Sequence, residues 1–208
     1  MLKRLRDAIV KFRADQQAVA AVEFALIMPY LLALYFGSKE ASVLFTADKR
    51  VNSISSTVGD LVSQWDPSDG NLPDATTLQG YFAAAKGLIA PYSNTNLTQV
   101  VSLIFVKSDG TTKVLWSRAY GGGTARTAGL SYAPLALGNA AMMNTISRGG
   151  CIVAAEASYS YKPLLGEVFP TALTLSHINY FIPRNGATVV IRLDTTSTAS
   201  VPTTACTT

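Results

Sequence analysis

Glu23 has the most informative chemical setting in the chain, because it is an acid inside an apolar run. From Ala18 to Gly37 the sequence reads AVAAVEFALIMPYLLALYFG, with Glu23 as its only charged residue. A helix of about 20 residues rises about 30 Å, which matches the hydrocarbon core of a bilayer. A carboxylate in such a span costs on the order of 3 kcal/mol, so it generally has a partner or a task. The alternative is that Glu23 lies shallow, at the level of the lipid headgroups.

Other groups that could do chemistry lack the neighbours that their chemistry requires. His177 is the single histidine and has no partner at a metal-ligand spacing, so we expect a packed or surface histidine. Gly121 to Gly123 lack the lysine and helix that follow a phosphate-binding loop, and the chain has no G-x-S-x-G elbow. Asp194 to Thr198 loosely match a D-x-S/T-x-S/T metal motif, but only ten residues follow it. The sequence predicts no enzyme, no metal and no other cofactor.

Basic residues are concentrated before the apolar run and supply most of the net charge of +4. They are Lys3, Arg4, Arg6, Lys11 and Arg13. Because cytoplasmic flanks of membrane helices are rich in Lys and Arg, we expect this leader in the cytoplasm and the rest of the chain across the membrane. No Lys/Arg stripe remains for phosphate contacts, so no nucleic-acid partner is predicted. A cleaved secretory signal is the rival, disfavoured by the internal acid and by G-S-K-E after Phe36.

Helical periodicity continues beyond the apolar run. Apolar residues recur at spacings of three, four and seven from Val43 to Trp65, which predicts a helix to about Gln64 that stops at the turn cluster DPSDG. A second helix is predicted over Ala75 to Ile89. We therefore divide the chain into a basic leader at 1–18, a transmembrane helix with its extension beyond the membrane at 19–65, and an α+β domain at 66–208 on the non-cytoplasmic side.

Strand patterns dominate the rest of the chain. Val100–Val106, the turn Ser108–Gly110 and Lys113–Ser117 predict a β-hairpin. Further predicted elements are a short helix near Leu135–Ile146, a strand over Cys151–Pro163 and a final strand over Thr188–Leu193. Leu173 to Phe181 fits a strand or a helix, and the pattern does not decide between them. Glu156 is the one acid in its strand, so it must face water or find a partner.

The two cysteines, Cys151 and Cys206, both fall in the segment that we expect outside the cytoplasm. An even pair in an oxidising compartment usually closes into a disulfide, so we predict a Cys151–Cys206 bridge. The chain has no C-x-x-C pair, which disfavours a metal site.

Two stretches resemble one family. AVAAVEFALIMP, Ala18 to Pro29, resembles the N-terminal signature of TadE/TadG-like pilus assembly proteins, the minor pseudopilins of tight-adherence (Flp-type) systems. Glu156 to Arg184 resembles the family's strand ending in Y-x-Y-x-P-L, followed by a loop and an L-S-x-x-x-Y-x-x-P-R close. The resemblance implies an α+β, pilin-like fold in which a long transmembrane helix precedes a small domain with an antiparallel sheet, and a structural role in pilus assembly or secretion.

The resemblance also implies roles for residues near the start of the chain. A prepilin peptidase would cut between Ala18 and Val19, so that Glu23 becomes the fifth residue of the mature chain. The family usually has glycine before the cut, where this sequence has Ala18. Glu23 and Phe24 would be recognised by the peptidase and in assembly, and Glu23 would neutralise the N-terminal amine of a neighbouring subunit. Pro29, which lacks an amide hydrogen, would loosen or bend the helix near mid-membrane.

Partners and location follow from the same resemblance. The expected partners are other Tad pseudopilins, pilus assembly proteins and the prepilin peptidase, with no small-molecule substrate. The chain would be a single-pass protein of the inner (cytoplasmic) membrane, with a cytoplasmic N-terminus and a periplasmic domain. The alternative is a membrane-tethered periplasmic binding module that is neither processed nor assembled into a pilus. An intact leader in the mature protein would favour that alternative.

Overall fold

The computed structural model describes residues 16–65, 75–136, 140–163 and 172–184, together with residues 6 and 10. In chain order the elements are α1 (Gln16–Ser63), α2 (Ala75–Lys86), β1 (Leu97–Val106), β2 (Thr112–Tyr120), α3 (Ala140–Ile146), β3 (Gly150–Tyr161) and β4 (Leu173–Phe181). Short 3-10 helices follow α2, at Gly87–Ile89, and precede α3, at Ala133–Ala136. The chain divides into two compact units, Met1–Phe45 and Thr46–Thr208.

The strands form an antiparallel sheet in the order β2-β1-β3-β4. The predicted hairpin is confirmed as β1 and β2, both longer than the apolar pattern indicates. Its turn is closed by the Lys107 amide, which donates to the Thr111 carbonyl at 2.8 Å, and Gly110 takes a positive φ of 88° there. The α+β class with an antiparallel sheet and a long N-terminal helix is therefore confirmed.

The ambiguous segment Leu173–Phe181 is a strand, β4, because its backbone pairs with β3 along the whole length. The predicted helix near Leu135–Ile146 is present as a 3-10 turn and then α3. The predicted final strand, Thr188–Leu193, lies outside the described residues.

One face of the sheet is covered by helices. Alternate side chains of a strand point to the same face, and Ala155 of β3 and Phe181 of β4 both lie against Gly59 of α1. A Cβ at position 59 would lie 3.0 Å from the Ala155 Cβ and overlap the Phe181 ring, so glycine permits this close packing. Gln99 of β1 donates to the Phe82 carbonyl of α2 at 3.2 Å, which places α2 over the same face.

The buried side of α1 in this unit repeats every three or four residues. It consists of Ala47, Val51, Ile54, Val58 and Val62, none more than 2% exposed. Val51, Ile54, Val58 and Val62 belong to the stripe that the sequence periodicity predicts, and they bury the helix against the sheet.

The opposite face carries a second apolar cluster. Ile104 and Val106 of β1 and Ile152 and Ala154 of β3 pack there with Val114 of β2. Tyr132 and Leu135, from the connection between β2 and α3, cover this cluster together with the partly buried Met143 and Tyr180. The sheet is therefore buried on both faces between helices and a connecting segment.

Candidate functional site: the apolar helix and the contacts of the acids

The first part of α1 exposes an unusual number of large apolar side chains. Those with at least 43% of their surface exposed are Val19, Val22, Phe24, Leu26, Ile27, Met28, Tyr30, Leu31, Leu32, Leu34, Tyr35 and Phe36. Apolar side chains on all sides of a helix require a lipid or protein environment. By length and composition, the helix from Val19 onward is able to cross a membrane, and none of its apolar window is buried.

Glu23 lies on this exposed apolar surface. It is helical and solvent-exposed in the isolated chain, one turn after Val19 and next to Phe24. The backbone of Ala18 is helical too. The predicted processing bond, Ala18–Val19, and the acid are thus held on one continuous helix.

Pro29 lies inside α1, and the helix continues on both sides of it. Because proline has no amide hydrogen, the carbonyl four residues earlier, at Ala25, loses its helical hydrogen bond. The predicted loosening or bend at this position remains a prediction.

Glu156 is paired with other side chains of the protein rather than facing water. The Arg126 guanidinium forms an ion pair with it, with Nε donating to Oε1 at 3.0 Å, and the Tyr132 hydroxyl donates to the same Oε1 at 3.0 Å. The Glu156 side chain is 14% exposed and the Arg126 side chain is 43% exposed. This pair ties the connection between β2 and α3 to the middle of β3.

The environment of this cluster favours a protonated Tyr132. Burial raises the pKa of Tyr132 well above its ordinary value, and the negative charge of Glu156 raises it further. The hydrogen bond to Glu156 raises the pKa of Arg126, which therefore stays charged. Burial also raises the pKa of Tyr180, the neighbouring ring on β4. The geometry is that of a satisfied ion pair and phenol, which anchors a loop.

The pKa shift of Tyr132 predicts how stability depends on alkaline pH. The folded protein holds the phenol proton where the unfolded chain, with a tyrosine pKa near 10.0, releases it. The contribution of Tyr132 to the free energy of unfolding is complete below pH 10 and is lost as the pH rises above that value. Between pH 9 and pH 11, the free energy of unfolding measured with denaturant should fall less in Tyr132→Phe than in the wild type. An equal fall in both would contradict the raised pKa of Tyr132.

His177 is a packed histidine, as expected. Its Nε2 lies 2.7 Å from Asp48 Oδ1, across the interface between β4 and α1. Two residues along β4, Asn179 donates to Asn52 Oδ1 at 2.9 Å and to Ser55 Oγ at 2.7 Å. These contacts hold β4 on α1 and form no arrangement of a nucleophile with a base.

Metal-ligating side chains do not cluster in the part of the chain that the structure describes. The loose motif Asp194–Thr198 lies outside those residues. The glycine-rich connection has a packing role: Gly121 takes a φ of 69° and lies against the Leu97 carbonyl, where a side chain would clash.

Cys151 lies at the start of β3 and is 4% exposed, while Cys206 lies outside the described residues. The bridge between them therefore stays a prediction.

We expect no alkylation of either thiol in the denatured, non-reduced protein and two alkyl groups after reduction. A loop of this length contributes roughly 4 kcal/mol to stability in the chain-entropy model. Two reactive thiols before reduction would show that the bridge does not form.

Comparison with known proteins gives a match, and it covers the apolar part of α1 with Glu23. No curated protein and no solved structure matches the chain significantly. The family model described as TadE-like protein matches residues 18–58. The matched segment ends before Glu156–Arg184, whose resemblance to the family stays an expectation. Over this segment, which holds Val19, Glu23 and Pro29, the chain is similar to the TadE-like family.

Proposed function

We propose that this chain is a minor pseudopilin, a structural component of a Tad/Flp-type pilus or secretion apparatus. In this proposal α1 anchors it in the inner membrane, and the unit from Thr46 onward lies in the periplasm. The observation that carries the proposal is Glu23, an acid on an exposed apolar helix inside the TadE-like segment. Its role is structural rather than enzymatic.

The physical argument begins with the cost of the acid. A carboxylate in the bilayer is unfavourable unless it is paired, and a cation on a neighbouring helix reduces that cost. Cleavage before Val19 creates such a cation, because it frees an α-amine one helical turn from Glu23. The amine of one subunit and Glu23 of the next then neutralise each other among apolar helices. The exposed apolar surface of α1 supplies the packing contacts with those helices.

The proposed locations of the leader and of the unit from Thr46 onward rest on charge and packing. The five basic residues before the apolar run favour a cytoplasmic leader and an exported domain. The exported unit has its own two-sided apolar core, so it folds around the sheet and can make protein contacts. Pilus assembly proteins, other pseudopilins and the prepilin peptidase are the proposed partners.

Removal of the leader is one expected result of the proposed function. The chain isolated from its native membrane should begin at Val19, because the peptidase removes the basic leader. N-terminal sequencing or intact mass measures this directly. A start at Met1 would exclude processing and favour the tethered binding module, and a start beyond Gly37 would indicate a secretory signal.

Pilus production tests the function itself. Deletion of the chain should abolish or strongly reduce surface pili, and the wild-type chain supplied in trans should restore them. Affinity capture of the restored chain from detergent-solubilised membranes should recover pilus components. Unchanged pili in the deletion strain would overturn the proposal.

A further inference from the structure

A groove of about 250 Å³ lies where β3 begins and β4 ends. Its walls include Ile146 and Ser147 after α3, Cys151 of β3, and Ile182 and Pro183 after β4. None of the described residues that line the groove belongs to the cluster of Arg126, Tyr132 and Glu156.

An exposed apolar rim indicates that this groove receives an occupant. Ile146 and Ile182 are 59% and 51% exposed, so the rim presents apolar surface to solvent. An occupant with apolar groups would cover this surface and recover part of its cost in free energy.

We propose that this groove is the docking site of the chain's own C-terminal segment, Val201–Cys206. The segment reads VPTTAC, with apolar Val201 and Pro202 for the isoleucine rim. It carries no charged residue, which matches the apolar rim. Cys206 would meet Cys151 in the groove wall.

The chain has the reach that this docking requires. Pro183 lies in the groove itself, so the C-terminal segment leaves β4 next to its binding site. Fully extended, the residues between Arg184 and Cys206 span roughly 70 Å, which allows an excursion and a return. The bridge forms when the two thiols give two electrons and two protons to a disulfide oxidant of the compartment, which becomes a dithiol.

The docking does not depend on pilus assembly, so it is tested on the purified full-length chain in detergent under non-reducing conditions. A photo-crosslinking benzoylphenylalanine replaces Ile146, and the crosslinked peptides are identified by mass spectrometry. The expected product joins position 146 to the peptide that contains Val201 and Pro202 of the same chain. The matched control carries the probe at Leu130, which is 61% exposed and is not in the groove wall.

The outcomes separate docking from the bridge and from the proposed function. A crosslink from position 146, but not from position 130, to the C-terminal peptide supports docking, and we expect Cys206→Ser to weaken it several-fold. A crosslink that persists in Cys206→Ser supports docking through apolar contacts alone. Crosslinks to another segment, crosslinks to a second copy in a mixture of isotope-labelled and unlabelled chains, or none overturn the proposal, even if intact mass shows the bridge and the cells make pili.

Discussion

Cells that carry Glu23→Val are expected to keep the protein in the membrane and to lose most of their surface pili. Valine removes the carboxylate without reducing the apolar character of α1, so insertion should persist or improve. The amine at Val19 of the neighbouring subunit then stays charged among apolar helices with no partner. Breaking a buried pair costs about 3–5 kcal/mol, which corresponds to a loss of roughly a hundredfold or more in the pairing equilibrium.

Three measurements in the same strain separate assembly from anchoring: leader removal, the level of the protein in the membrane, and surface pili. Leader removal should continue, because the basic residues and the Ala18–Val19 bond are unchanged. Co-purification with partner pseudopilins should fall together with the pili. Leu31→Val is the matched control, since Leu31 is an exposed apolar residue of the same helix and keeps its character.

Substitution by glutamine distinguishes charge from shape. Glu23→Gln has nearly the same size but cannot neutralise an amine, so it should behave like Glu23→Val. Normal pili in either strain, at normal protein levels, would defeat the pairing hypothesis. Glu23 would then be an acid at the level of the headgroups, without a role in assembly.

Local patterns predicted most of the fold, because they depend on residues close together in the chain. The stripe from Ala47 to Val62 has helical spacing, and it is both the reason for the helix and the surface that it buries. The hairpin is marked by β-branched runs around Asp109 and Gly110, whose turn geometry is also local. Leu173–Phe181 was ambiguous for the same reason, since only its pairing with β3 makes it a strand.

Contacts between distant residues were not predictable in the same way. The sequence indicated that Glu156 needed water or a partner, but not which, because Arg126 and Tyr132 lie in a connection without periodicity. Asp48 and His177 belong to elements whose adjacency only the sheet order establishes. The available signal was a polar residue inside an apolar strand. Such a residue indicates that a hydrogen-bond partner is needed, but it does not indicate which residue supplies it.

Glu156→Ala is expected to destabilise the folded unit by about 2–3 kcal/mol. The substitution leaves the buried Tyr132 hydroxyl without its acceptor, which costs about 1–3 kcal/mol. It also removes the carboxylate from Arg126, and this part is smaller than for a fully buried pair because the Arg126 side chain is 43% exposed. The loop that carries Arg126 and Tyr132 then loses its attachment to β3.

Urea unfolding of the purified full-length chain, followed by near-ultraviolet circular dichroism, measures this loss. Glu156→Gln should cost less, about 1–2 kcal/mol, because the amide oxygen still accepts from Tyr132 while the charge for Arg126 is gone. Ser158→Ala is the matched control, two residues along β3 on the same face of the sheet, and should change stability by less than about 0.5 kcal/mol. If Glu156→Ala is no more destabilising than Ser158→Ala, the cluster does not anchor the loop, because a carboxylate that holds Arg126 and Tyr132 cannot be removed without cost.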